Sequence, residues 1–260
     1  MLAAGWPEAL LSRVEDAGIN ASAPPQQLWV DGWLLRYCPG KAKRARCVQA
    51  VAAGRLPLDE RLALCRAVFD AAGLPMVLRI TPFSRPAGLD EALAARGYGL
   101  LDDTRVMVAA QLAAQPEPLP PNVQLERLAP AEFAAVVGRL RGSPKSQRAA
   151  QAQRLLASPV PYQAWVLRWQ QGRAVLACGQ IATESDLVGL YDVFTAPEAR
   201  GQGLARMLCS QLLAQAVQGG ARTAYLQVEA DNAPARAVYR RLGFADAYAY
   251  HYRAAERDAH

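Results

Sequence analysis

Gly201 and Gly203 are the residues of this chain whose type and spacing most plainly suit a chemical task. They sit in Pro197-Glu198-Ala199-Arg200-Gly201-Gln202-Gly203-Leu204-Ala205-Arg206, after an apolar run from Leu187 to Phe194 and before an amphipathic stretch from Met207 to Val217. A strand, a glycine-rich turn and a helix in that order form a seat for a diphosphate. Glycine has no Cβ, so the backbone can come close to a bulky anion. The first N–H groups of a helix have no internal partner and carry the positive end of its dipole. The stretch points to a phosphate-bearing cofactor.

Three phosphate loops are worth comparing. A dinucleotide fingerprint needs G-x-G-x-x-G, and Arg206 stands where its last glycine or alanine belongs. A nucleotide P-loop needs Lys followed by Ser or Thr, but Leu204 and Ala205 follow Gly203. The pattern R-x-x-G-x-[GA] fits through Arg200, Gly203 and Ala205. Downstream, Ala224 to Glu229 reads as a strand. It leads into Asp231-Asn232-Ala233-Pro234-Ala235-Arg236-Ala237-Val238-Tyr239-Arg240-Arg241-Leu242-Gly243-Phe244. Asp231 or Asn232 can cap a helix, Pro234 is tolerated in its first turn and Gly243 ends it. Asn232, Ala235 or Arg236, and Tyr239 share one face of that helix.

Both segments, with their order and spacing, resemble the GNAT superfamily of N-acetyltransferases, over roughly Val123 to Arg253. R-x-x-G-x-A is similar to its acyl-CoA pyrophosphate loop, and N-x-x-A-x-x-x-Y-x-x-L-G-F to its fourth helix. The resemblance implies a mixed α/β fold and acetyl-CoA as co-substrate. It assigns the pyrophosphate to Arg200, Gly201, Gln202, Gly203, Leu204, Ala205 and Arg206. The pantetheine arm falls to the edge of Val193, Phe194 and Thr195, with Asn232, Ala235 and Tyr239 across from it. Tyr239 becomes the general acid at sulfur, since a phenol of pKa near ~10 stays protonated at neutral pH. An acceptor amine must be neutral to attack, and Asp192, Glu229 and Glu184 are candidate bases; no spacing decides among them, and a water relay serves equally. Alternation puts Asp192 and Phe194 on one sheet face and Val193 on the other.

The elements that must position these groups fall into two halves. Residues 115–122 (Gln115-Pro116-Glu117-Pro118-Leu119-Pro120-Pro121-Asn122) read as an extended linker between residues 1–114 and 123–260. After it the order is strand (Val123 to Leu128), helix (Ala131 to Leu140), helix (Ser146 to Leu156) and strands through Phe194, the order of a complete GNAT domain. By the same resemblance, Gly142 to Lys145 lines the acceptor side. The first half echoes this in truncated form. Strands Leu28 to Tyr37 and Cys47 to Ala53 flank the basic run Lys41 to Arg46. A helix from Leu58 to Ala72 and a strand from Met76 to Thr81 follow, and Leu93 to Tyr98 lies over Tyr239 to Phe244. Leu93 stands at the place of Tyr239, and Asp59 and Glu60 at a helix start would repel a diphosphate. The first half is therefore expected to brace the second without binding CoA, as in tandem-GNAT proteins.

Composition narrows the alternatives. No apolar run approaches the ~18–20 residues of a membrane span, and the N-terminus lacks a basic start and apolar core. Five cysteines with no C-x-x-C spacing argue against a disulfide framework or zinc knuckle, so core cysteines and a cytoplasmic home are expected. The two histidines, His251 and His260, offer no triad or metal cluster; His251 is expected as a packed or edge residue. The net charge of +6 is compatible with phosphate ligands. The run Lys41 to Arg46 lacks interleaved aromatics, so it reads as a solvated loop ahead of a nucleic-acid patch. The leading reading is an acetyl-CoA-dependent N-acetyltransferase; a non-catalytic acyl-CoA sensor and a nucleic-acid binder are the alternatives. The acceptor and the oligomeric state are not readable.

Overall fold

A computed structural model describes residues 5–38, 42–113, 115–171 and 174–259. Lys41, Ala114 and His260 lie outside the described residues. The first half runs α1 (Glu8–Ala21), β1 (Gln27–Val30), β2 (Trp33–Arg36), β3 (Val48–Gln49), α2 (Leu58–Ala71), β4 (Val77–Ile80), α3 (Leu89–Ala94) and β5 (Gly99–Ala109). The second runs β6 (Val123–Leu128), α4 (Pro130–Leu140), α5 (Lys145–Ala157), β7 (Tyr162–Trp169), β8 (Val175–Glu184), β9 (Leu187–Thr195), α6 (Leu204–Gln218), β10 (Thr223–Glu229), α7 (Ala233–Arg241) and β11 (Ala245–Ala254).

All the strands join one mixed sheet in the order β1-β2-β3-β4-β11-β5-β10-β9-β8-β7-β6. The final strands of the halves are exchanged. β5 pairs antiparallel with β10, from Thr104 opposite Glu229 to Ala109 opposite Ala224. β11 pairs with β5 on one side and with β4 on the other, where His251 faces Ile80. Each half thus completes the sheet of the other, and the first half braces the second through continuous backbone hydrogen bonds.

Local sequence explains most of these elements. In α6, Leu208, Cys209, Leu212 and Leu213 fall at helical spacing and pack on Leu190, Leu226 and Ile181. Burying each leucine stabilises the fold by roughly 1.5–3 kcal/mol. In α4, Phe133, Val136 and Val137 cover Val166 and Cys178 on the opposite face. None of the five cysteines forms a disulfide among the described residues and all are buried, in keeping with core packing. Burial pushes the Cys47 thiol up to about 11 and that of Cys209 up to about 12, so neither supplies a thiolate nucleophile at neutral pH.

Three expectations need correction. The stretch from Leu28 to Tyr37 is two strands, not one. Asp31 and Gly32 adopt φ of +42° and +82°, which turns β1 back on β2. The basic run is not a solvated loop. Lys43 and Arg44 sit in a 3-10 turn between β2 and β3; Lys43 pairs with Asp102 at 2.9 Å and Arg44 turns inward. The 115–122 segment is tied down as well as extended. Glu117 donates its N–H to Ser210 Oγ at 3.0 Å and accepts from Gln211 Nε2 at 2.6 Å and Arg206 Nη1 at 2.8 Å, all on α6.

The loop before α2, where the first half would place a phosphate seat, carries an internal anion. The Asp31 carboxylate accepts the N–H groups of Arg55 and Leu56 at 2.9 Å and Arg61 Nε at 2.9 Å. A Cβ on Gly54 would lie 2.4 Å from both Asp31 Oδ2 and Arg61 Nη2. The backbone donors there are occupied by the chain itself.

Candidate active site

β9 and β10 run parallel from Leu187 beside Thr223 to Leu190 beside Leu226, and their pairing stops there. Both strands continue, each held by its outer neighbour: Phe194 lies opposite Cys178 and Glu229 opposite Thr104. A wedge therefore opens between them, bordered by Tyr191 to Thr195 on one side and Gln227 to Glu229 on the other.

A bulge shapes the β9 wall. Gln180 faces Tyr191 and Cys178 faces Phe194, so Asp192 and Val193 together oppose Gly179. Asp192 takes a φ of +50°, a left-handed conformation that Asp tolerates better than most residues. Gly179 leaves little room: a Cβ there would stand 3.3 Å from Leu208 and 3.4 Å from Val193. Val193 packs toward α6, while Phe194 packs toward α4 and α5, as alternation predicts. The bulge brings Tyr191 to the same side as its neighbour Asp192, which alternation does not predict, and both line one cavity.

The Asp192 carboxylate is already engaged. Oδ1 accepts from Arg141 Nη1 at 2.7 Å; Oδ2 accepts from Gln180 Nε2 at 2.7 Å and Gln151 Nε2 at 3.1 Å. Burial works to raise its pKa, but Arg141, Arg154 and Arg44 together hold it below the ordinary carboxylate range. Arg141 closes α4 and acts electrostatically on Tyr239 as well, which brings the acid-type and base-type candidates into one neighbourhood.

The glycine-rich turn follows the wedge directly. A 3-10 turn from Pro197 to Ala199 leads to Arg200, and Gly201 and Gly203 take φ of +78° and +75°. Those backbone conformations are strained for residues with side chains. The space around the absent Cβ of Gly201 is open to 4 Å. Gly203 caps α6, and Met207 N–H is the one that bonds back to its carbonyl. Leu204, Ala205 and Arg206 thus present their N–H groups at the helix start. Arg200 folds back, its guanidinium 5.7 Å from the Phe194 ring centroid and its Nε 3.4 Å from Thr195 O. The Arg206 guanidinium points to Glu117 instead of outward.

α7 begins as the sequence indicates. Asn232 is its N-cap, its Oδ1 accepting from Ala235 N–H at 3.2 Å, and Gly243 follows the helix at φ +88°. Ala235 packs against the α6 core. Tyr239 is 9% exposed, with its ring 6.1 Å from Phe244 in an edge arrangement. No hydrogen bond to its hydroxyl is found among the described residues, so it is not a core tyrosine tied to backbone. Burial raises its pKa, so it is protonated at neutral pH.

The remaining carboxylates divide by position. Glu229 ends β10 at the mouth of the wedge, exposed and without an ion-pair partner among the described residues. Glu184 ends β8 at the far end of the β8–β9 hairpin and accepts from Asn20 at 3.0 Å. His251 lies on β11 where that strand pairs with β4 of the first half, 2.9 Å from Asp90. Sequence reasoning passed over Arg141, Arg154 and Arg44, which line the cavity beside Asp192, and Ser143 from the Gly142–Lys145 link joins them.

Comparison with known proteins bears on this geometry. Residues 9–253 match the family described as "Probable histone acetyltransferase Rv0428c C-terminal". The chain belongs to this family of GNAT N-acetyltransferases. A curated relative, the uncharacterized N-acetyltransferase YobR of Bacillus subtilis (strain 168), is 26% identical over 236 residues, covering 85% of this chain and 89% of its own. Two solved structures share the GNAT fold. A GCN5-related N-acetyltransferase from Kribbella flavida has a TM-score of 0.69 at 16% identity, over 94% of this chain and 95% of its own. A tandem GNAT protein from the clavulanic acid biosynthesis pathway has a TM-score of 0.63 at 15% identity, over 76% and 69%. No helix among the described residues is long and apolar enough to cross a membrane.

Proposed function

We propose that this GNAT protein transfers an acetyl group from acetyl-CoA to a primary amine by direct attack within a ternary complex. The observation that carries the reading is the end of β9–β10 pairing at Leu190 and Leu226, immediately ahead of the Gly201–Gly203 turn. An extended pantetheine chain can pair with the freed edge at Val193, Phe194 and Thr195. The N–H groups at the start of α6 suit the diphosphate. Acetyl-CoA supplies an activated acyl group; the chain supplies polarity, proton handling and placement.

A main-chain N–H at the β9 bulge, near Val193, stabilises negative charge on the acyl oxygen. The Tyr239 hydroxyl, protonated and without a hydrogen-bond partner among the described residues, donates to the departing sulfur. Asp192 is bound by three donors and held acidic, so its part is to fix Arg141 and the cavity wall. Glu229, exposed at the wedge, takes the amine proton directly or through water. The family description names a histone acetyltransferase, and a lysine side chain is a primary amine, so a lysine-rich peptide belongs in any acceptor panel.

Calorimetric titration with acetyl-CoA, together with thiol release against a panel of amines, tests the reading. Micromolar-range binding with amine-dependent thiol release is the expected result. Binding with no turnover against any amine would leave an acyl-CoA sensor, and absence of binding would overturn the reading altogether.

A further inference from the structure

The cavity beside Asp192 is built from both halves of the chain and holds about 250 Å³, room for a small molecule. α4 and α5 contribute Arg141 and Arg154, the 3-10 turn after β2 contributes Arg44, and β9 contributes Asp192. Three guanidinium groups thus face one carboxylate. Arg141 is matched by Asp192 at 2.7 Å. Arg44 and Arg154 have no carboxylate within ion-pair distance among the described residues. Arg44 is nonetheless held in place, with Nη1 2.8 Å from Gln227 Oε1 and its guanidinium 6.0 Å from the Tyr191 ring centroid. The other polar groups are neutral: the Tyr162 hydroxyl donates to Ala21 O at 2.7 Å and faces Arg154 with its lone pairs, which supply no counter-charge.

Positioned guanidinium groups without counter-ions in a partly desolvated cavity are costly unless a ligand brings the missing charge. Their planar forks match the oxygens of carboxylate and phosphate. Asp192 borders both the cavity and the acyl-binding strand, so a ligand seated here would lie next to the reacting thioester. We propose that the acceptor is a small amine bearing an anionic oxyacid group, carboxylate or phosphate, held by Arg44 and Arg154 with its amine directed toward β9. This rests on the acetyltransferase reading above. Polyamines and lysine-rich peptides would bring further positive charge to two unmatched cations, and they are excluded as preferred acceptors.

The test uses amines that differ at one end only: γ-aminobutyrate against its amide, and O-phosphoethanolamine against ethanolamine, with a lysine-rich peptide alongside. Thiol release from acetyl-CoA is the readout. At least one acidic member should exceed its neutral partner tenfold or more in kcat/KM; whichever pair shows the preference separates carboxylate from phosphate. Arg154→Gln should raise the KM of that acceptor tenfold or more, with the KM for acetyl-CoA unchanged. Arg154→Glu should shift preference toward the peptide. Arg44→Gln, checked for an unchanged melting curve, is the second variant. Equal use of acid and amide, preference for the peptide in the unmodified protein, or a preference that survives both variants would overturn the proposal. If no amine is acetylated the proposal falls, and calorimetry with acetyl-CoA then shows separately whether the transferase reading falls with it.

Discussion

Arg141 and Asp192 join the helical layer to the bulge of β9 through a 2.7 Å ion pair, and two glutamines complete the shell around the carboxylate. The Arg141 charge also opposes, weakly, the rise that burial imposes on the Tyr239 pKa. Asp192→Asn keeps the shape but removes the charge. It should lower kcat/KM for the acceptor about tenfold while sparing acetyl-CoA affinity. The folded-state pKa of Asp192 is depressed, so its stabilising contribution is present above ~3.9 and is lost as pH falls through the lower folded value. Urea denaturation should therefore separate the two proteins at pH 7, and the gap should narrow as pH falls through the folded value. An Asp192→Asn protein that loses the acidic limb of the pH–rate profile would instead make Asp192 the base.

Tyr239→Phe removes a hydroxyl with no hydrogen-bond partner among the described residues, so the melting temperature should hold. Loss of a positioned general acid typically costs 10²–10⁴-fold in rate, and kcat should fall by about that factor. Affinity for CoA by calorimetry should be unchanged. An unaltered kcat would take Tyr239 out of the mechanism.

Gly201 and Gly203 both stand at φ near +75°. A double change to Asp adds backbone strain and two negative charges where a diphosphate is expected to sit. Acetyl-CoA affinity should drop at least a hundredfold. The strain falls on a surface turn, so far-ultraviolet circular dichroism should remain that of the parent. Undiminished binding heat would remove the phosphate seat from this turn.

The turn and α7 were legible because their signals are local. Glycines mark positive φ, Asn232 and Pro234 open a helix, and Gly243 closes it. The Asp31-Gly32 turn and α1, with Leu11, Val14, Ala17 and Ala21 at helical intervals, also carried readable signals that the sequence reading passed over. The bulge at Asp192 and Val193 was hidden, because a period of two has no mark for one extra residue. The exchange of β5 and β11 was hidden for a different reason. Pairing partners so far apart in the chain are chosen by the assembled sheet, not by either strand's composition. Arg44 became part of the cavity through the same long-range assembly, from a run that looked like surface.

Asp31 occupies in the first half the position where a phosphate would meet backbone N–H groups. Arg55 and Leu56 donate to it, and these bonds with Arg61 hold its pKa below the ordinary range. Asp31→Ala would leave those donors to solvent and Arg61 without its carboxylate, with Leu56 O and the Trp33 ring still holding it. The melting temperature should fall while acetyl-CoA affinity and kcat in the second half stay within twofold. A new, second CoA equivalent in the titration of this variant would mean that only Asp31 keeps the first half from binding.

The buried pair of Glu15 on α1 and Arg79 on β4 attaches the first helix to the exchanged strand β11. Tyr248 Oη donates to Glu15 Oε2 at 2.6 Å, and the Arg79 guanidinium lies 3.9 Å from the Tyr250 ring centroid. Both tyrosines belong to β11, so the cluster clamps the second half's last strand to the first half's helix. Arg79→Met removes one ion and leaves the carboxylate buried, which typically costs 3–5 kcal/mol. The double change Glu15→Leu with Arg79→Met removes both charges and should recover most of that loss in urea titrations. If the single variant is as stable as the parent, the clamp contributes little and the sheet alone holds the halves together.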